Sequence, residues 1–134
     1  MYLVTKNIEF CYGHRLLDYD GVCKHPHGHN ARVEVDVRTD RLDRRNMVVD
    51  FSDIKRIVKG WIDRELDHKM ILRHDDPLVG PLQQLGEPVY TLDSNPTVER
   101  IAKLIFDKAR EGGIDVVAVR VWETPTSIAE YRPD

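Results

Sequence analysis

The sequence predicts an α+β fold: an antiparallel four-stranded sheet with two helices on one face, in the order ββααββ. Three observations predict it. Residues 29–38 alternate strictly, with Val33, Val35 and Val37 against Arg32, Glu34, Asp36 and Arg38, the period of a strand with one buried and one wet face. After Asp50, the residues Phe51, Ile54, Ile57, Val58, Trp61, Ile62 and Leu66 recur at spacings of three and four, an apolar helical stripe. Near the end, Val117, Val119 and Val121 restore the period of two.

In chain order, residues 2–13 read as the first strand, because Ile8 to Tyr12 is rich in apolar and aromatic side chains. Residues 15–28 contain Gly21, Pro26 and Gly28 and read as a loop. Residues 29–38 are the second strand. Residues 39–46 are a charged connection, and Met47 to Val49 are a candidate to resume a strand. Asp50 caps the first helix, with Asp53 well placed in its first turn. Residues 70–94 are interrupted by Pro77, Pro81 and Pro88 and carry no regular pattern. The second helix is expected after Asn95 as cap, with Pro96 at the first helical position. Ile101, Leu104 and Ile105 form its apolar face, and Gly112-Gly113 ends it. Residues 114–123 form the last long strand, with a short one at Ala129 to Arg132. A sheet this small leaves open edges, which association of copies would close.

The length of 134 residues fits one domain spanning 1–134, large enough for a genuine core. A net charge of −3 gives no reason to expect nucleic acid or an anionic membrane as partner. No stretch approaches the ~20 apolar residues of a membrane helix. The first fifteen residues, with Lys6, Glu9, His14 and Arg15, do not read as a signal peptide, so the expected compartment is the cytoplasm. Two cysteines, Cys11 and Cys23, exclude a disulfide scaffold.

Chemistry concentrates in one short segment. His25, His27 and His29 are spaced by two, so their side chains share a side in extended chain. Imidazoles suit zinc, and catalytic zinc typically takes three protein ligands with one position open. His14, at the end of the first strand, reaches the group if the two strands pair as a hairpin. Spacing alone does not choose between His25 and the others. Cys23 on its own reads as a packed small residue, but it stands beside Lys24, and a nearby positive charge favours the reactive thiolate. Cys11, flanked by Phe10 and Tyr12 in a strand, reads as a packed small residue. Asp67-His68 follows the first helix, where a carboxylate can orient an imidazole for proton transfer. Glu123 continues the face of Val117, Val119 and Val121; it either emerges into solvent at the strand end or offers its two acceptor oxygens to an amino-heterocycle.

Together these residues resemble the 6-pyruvoyltetrahydropterin synthase / 6-carboxytetrahydropterin synthase family. The resemblance runs from Phe10 to Arg132. It rests on Phe10 with His14-Arg15-Leu16, Cys23-x3-His27-Gly28-His29-Asn30, Val49-Asp50-Phe51, Leu66-Asp67-His68, Asn95-Pro96-Thr97-x-Glu99, and Glu123-Thr124 with Tyr131. It implies a T-fold whose copies join through sheet edges into a trimer, two trimers stacking into a homohexamer with active sites between subunits. It implies Zn2+ held by His14, His27 and His29, which leaves His25 out. It implies Cys23, Asp67 and His68 as proton-transfer residues, Glu123 as the anchor of the pterin ring, and Thr97 in the segment lining the pocket.

The implied substrate is 7,8-dihydroneopterin triphosphate. The compact Cys-x3-His-Gly-His spacing resembles the branch that forms 6-carboxy-5,6,7,8-tetrahydropterin, releases triphosphate and acetaldehyde, and leads to 7-deazaguanine compounds such as queuosine. The alternative within the family eliminates triphosphate without cleaving the side chain. A non-catalytic zinc-stabilised binding module is expected to lack Cys23 or Asp67-His68, and all are present. Lys24, Lys69 and Arg15 are candidates to hold the triphosphate. The sequence departs from the family at Cys11-Tyr12-Gly13, where small residues are more usual, in the short loop from Arg15 to Val22, and in the longer 70–94 segment.

Overall fold

The structure, a computed structural model, describes residues 1–134. Its frame is a long hairpin. β1 (Tyr2–His14) and β2 (His27–Thr39) pair antiparallel over their whole lengths, from Tyr2 opposite Thr39 to His14 opposite His27. Alternation along both strands sends Ile8, Phe10, Tyr12, Ala31, Val33, Val35 and Val37 into the core.

Residues 51–65 form one helix, α1, with a wider π turn at Lys55–Lys59 between α-helical ends. Asp50 caps it as expected, its carboxylate accepting from the Ser52 N–H at 2.9 Å. The buried line is Ile54, Val58, Ile62 and Leu66, four apart throughout; Phe51 lies outside it and is exposed. β3 (Lys69–Arg73), α2 (Val79–Gln84) and β4 (Val89–Leu92) follow. Then come α3 (Val98–Glu111), β5 (Val116–Thr124) and β6 (Ser127–Tyr131).

The sheet therefore has six strands, in the order β4-β3-β1-β2-β5-β6, and not the expected four antiparallel ones. It is mixed: β3 runs parallel to β1, and β4 parallel to β3. The order of elements is ββαβαβαββ. The two added strands come from residues 70–94. β3 is five residues and β4 four, too short for a period to show, and the prolines fall between them and not inside them. Met47 to Val49 form no strand and lead into the cap of α1.

Both longer helices lie on the same face of the sheet, as expected. Ile54, Val58 and Ile62 of α1 and Ile101, Ile105 and Phe106 of α3 share one core with the inward residues of β1, β2 and β5. The helices meet closely at the end of α3, where a Cβ on Gly112 would collide with Ile57. The outer face is polar: Arg120 bridges Asp36 at 2.6 and 2.7 Å and Glu34 at 3.0 Å. A register shift between Asp36 and Val37 inserts Val117 as an extra residue in β5. Val116 takes the core position in its place, so only Val119 and Val121 share the inward face with Glu123. No helix is long and apolar enough to cross a membrane.

Candidate functional site

The hairpin register builds the site. His14 closes β1 directly opposite His27, the first residue of β2, and Tyr12 stands opposite His29. His27 and His29 are two apart and point the same way. The three imidazoles meet at the base of the sheet, with ring centroids 4.6, 5.0 and 5.1 Å apart and donor nitrogens within 4.8 Å of one another. His25 stays out of the group. Its carbonyl accepts from the Nδ1 of His27 at 2.7 Å.

The Nδ1 of His14 lies 2.8 Å from the carbonyl oxygen of Pro96. A carbonyl only accepts, so each of these Nδ1 atoms carries a proton and its Nε2 presents a lone pair. Pro96 is free for this because the cap of α3 is Thr97, whose Oγ1 accepts from the Arg100 N–H at 3.3 Å; the expected cap, Asn95, does something else. Its side chain clasps Leu17, accepting from the N–H at 3.0 Å and donating to the carbonyl at 2.8 Å. The loop after His14 and the entry to α3 are thereby tied together.

The Nε2 atoms of His14 and His29 are buried and have no hydrogen-bond partner. Burial, the largest cause, pushes both imidazoles below their ordinary pKa, although the Glu123 carboxylate pulls the other way. They are therefore neutral at pH 7 and able to coordinate. Three converging imidazoles, two oriented through Nδ1 and two with orphaned Nε2 atoms, fit a divalent ion of the zinc type. Glu123, at the end of β5, reaches the same place, its Oε1 3.5 Å from the Nε2 of His14 and 3.4 Å from that of His29.

A second cluster stands at the end of α1. The Asp67 carboxylate accepts from the Cys11 N–H at 3.0 Å and lies 2.9 Å from the Nδ1 of His68. The His68 N–H donates to the Cys11 carbonyl at 2.7 Å, and His68 takes a left-handed φ of 61°. Burial pushes Asp67 up, but the Cys11 N–H and His68 more than offset it and hold the carboxyl below its ordinary range. The imidazole itself is exposed. A cavity of about 600 Å³ joins the two clusters: His27 and His29 line it together with Cys11, Asn30, His68 and Lys69.

The structure does not join Cys23 to this cluster. Cys23 sits in a short 3-10 turn, Val22–Lys24, ahead of β2, and does not line the cavity beside His68. The thiol that does stand with Asp67 and His68 is Cys11, whose sulfur and their donor atoms lie within 4.8 Å of one another. Sequence reasoning gave Cys11 only a packing role, and the pairing of β3 with β1 that places it beside Asp67 had no legible signal. The parity of Tyr12 with His14 along β1 is readable from the sequence. Arg15 is committed to Asp76 through both its Nε and an Nη, at 2.8 and 2.5 Å, so of the candidate triphosphate residues only Lys69 lies in the cavity beside His68. Thr97 sits next to Pro96, close to His14 through the backbone.

Residues 3–134 match the family model described as 6-pyruvoyl tetrahydropterin synthase. The chain is 37% identical over 133 residues to the 6-carboxy-5,6,7,8-tetrahydropterin synthase of Rickettsia bellii, covering 94% of this chain and 96% of that one. It is 32% identical over 140 residues to the protein of the same name from Haemophilus influenzae, covering 98% and 99%. Among solved structures it is similar to an uncharacterized protein from Wolinella succinogenes, with a TM-score of 0.82, 27% identity and 99% and 98% of the two chains covered. The fold is also that of the Caenorhabditis elegans 6-pyruvoyl tetrahydropterin synthase, with a TM-score of 0.72 at 24% identity over 100% and 98% of the chains.

Proposed function

The chain belongs to the 6-pyruvoyl tetrahydropterin synthase family, and on that premise we propose that it converts 7,8-dihydroneopterin triphosphate and one water to 6-carboxy-5,6,7,8-tetrahydropterin, triphosphate and acetaldehyde. The observation that carries this reading is the cluster of His14, His27 and His29 with its orphaned Nε2 atoms, in a chain 37% identical to a 6-carboxy-5,6,7,8-tetrahydropterin synthase.

His14, His27 and His29 would hold zinc. When bound, the ion supplies Lewis acidity to the hydroxyls of the substrate side chain. The other steps belong to the chain itself. Glu123 fixes the pterin ring through its two carboxylate oxygens, and Thr97 lines the ring pocket. The thiolate of Cys23 removes a proton from the side chain. The imidazole of His68, oriented through Nδ1 by Asp67, carries the complementary proton. Lys69 offers a positive charge to the triphosphate.

Cys23 and the Asp67–His68 pair are not in contact within one chain, so the complete site draws them from neighbouring copies. The outermost strands β4 and β6 have no second partner within the chain, which supports assembly through sheet edges. We take the assembly to be a T-fold trimer, doubled to a homohexamer, acting in the cytoplasm on the way to 7-deazaguanine compounds. The test is incubation of the zinc-loaded protein with 7,8-dihydroneopterin triphosphate, with the pterin product identified by mass. A 6-carboxy pterin is expected. Unchanged substrate would overturn the reading.

A further inference from the structure

Three buried polar atoms at the base of the sheet lack a hydrogen-bond partner: the Nε2 atoms of His14 and His29, and the phenol oxygen of Tyr12. The first two belong to the imidazole group. The third has no role in the site as described, nor in the fold. Tyr12 is 3% exposed, and its ring is well packed, stacked on Phe10 at 5.3 Å and edge-on to His14 at 5.1 Å. A phenylalanine would provide all of that packing. The hydroxyl alone is unexplained, and a buried hydroxyl without a partner destabilises the folded chain.

Position says what the hydroxyl is for. Tyr12 shares its strand face with His14, lies opposite His29 in the ladder, and its ring is 5.7 Å from that of His29. A phenol keeps its proton at neutral pH, so the Tyr12 hydroxyl is a donor there. One O–H donor thus stands beside the imidazoles that take a ligand, and it needs an acceptor oxygen. We propose that Tyr12 is a further substrate-binding residue, whose phenol O–H donates a hydrogen bond to a side-chain hydroxyl oxygen of the pterin bound at His14, His27 and His29. This rests on the pterin synthase reading given above.

The test is Tyr12→Phe, which keeps the ring and removes only the oxygen. Two measurements are made. In the metal-free protein without ligand, the variant should melt higher than wild type, by about 3–6 °C, because an unpartnered buried hydroxyl has been removed. In the zinc-loaded protein, 7,8-dihydroneopterin should bind the variant about 3–10-fold more weakly than wild type. Binding of 7,8-dihydropterin, which lacks the side chain, should be unchanged, and zinc content should be equal. A lower melting temperature would show that the hydroxyl is already paired within the protein and would overturn the proposal. So would equal affinity of the two proteins for 7,8-dihydroneopterin, or an equal loss for both pterins. Wild type binding neither pterin would instead remove the pterin reading, and this inference with it.

Discussion

The Nδ1 of His14 donates to the carbonyl of Pro96, 82 residues away in sequence, across 2.8 Å. That one bond fixes the tautomer of a buried imidazole and joins the end of β1 to the start of α3. His27 is fixed in the same sense by the carbonyl of His25. The residues that orient these imidazoles thus act through backbone oxygens and not through their side chains.

Side-chain removal should separate ligands from orienters. His14→Ala, His27→Ala and His29→Ala should each lose most of the bound zinc. His25→Ala should keep it, because the carbonyl that orients His27 is unaffected. Metal analysis of the four purified variants checks this. Loss of zinc from His25→Ala with retention in His14→Ala would reverse the assignment.

Acid should weaken the metal-free protein through the same histidines. Burial holds His14 and His29 below the ordinary imidazole value of 6.5, so below that pH the unfolded chain takes up protons that the folded chain does not. Their contribution to stability is complete above about pH 6.5 and is lost as pH falls through the lowered folded values. Denaturation midpoints measured from pH 8 to pH 5 should fall over that window. A midpoint that rises as pH drops through 6.5 would contradict the burial argument.

Where a pattern runs long, the sequence was legible. The alternation in β2 and the stripe of α1 fixed two elements and one core face, and the hairpin they imply is what brings His14 to His27 and His29. The rest was set by contacts between distant residues. Short β3 and β4 have no room for a period, and the parallel pairing of β3 with β1 and of β4 with β3 depends on α1 and α2 as crossovers. Asn95 has the chemistry of a helix cap, but Leu17 offered it a better use, and Thr97 capped the helix instead. The bulge at Val117 exchanged one core valine for another. Cys11 gained Asp67 and His68 as neighbours only through the turn after α1.

Glu123→Gln should weaken substrate binding, because the amide replaces one acceptor oxygen with a donor. The loss should appear in KM, by about tenfold, with zinc content unchanged. Titration with substrate and metal analysis on the same preparation check both parts. A variant that loses zinc would make Glu123 a metal ligand, consistent with its 3.4 Å approach to His29, and not an anchor of the ring.

Cys23→Ala should keep zinc and fold yet lose turnover by about 10²–10⁴-fold. His68→Ala should behave likewise. If the two residues serve one site from neighbouring copies, dissociating and reassembling the two inactive variants together should restore part of the activity. Turnover of the mixed assembly is the readout. Two inactive parents giving an inactive mixture would place Cys23 and His68 in separate roles within their own chains.

The most direct measurement of the central claim is the yield of acetaldehyde against that of triphosphate, from zinc-loaded protein supplied with 7,8-dihydroneopterin triphosphate. The account predicts equal amounts of the two, alongside 6-carboxy-5,6,7,8-tetrahydropterin. Triphosphate released with a pyruvoyl pterin and no acetaldehyde would contradict it.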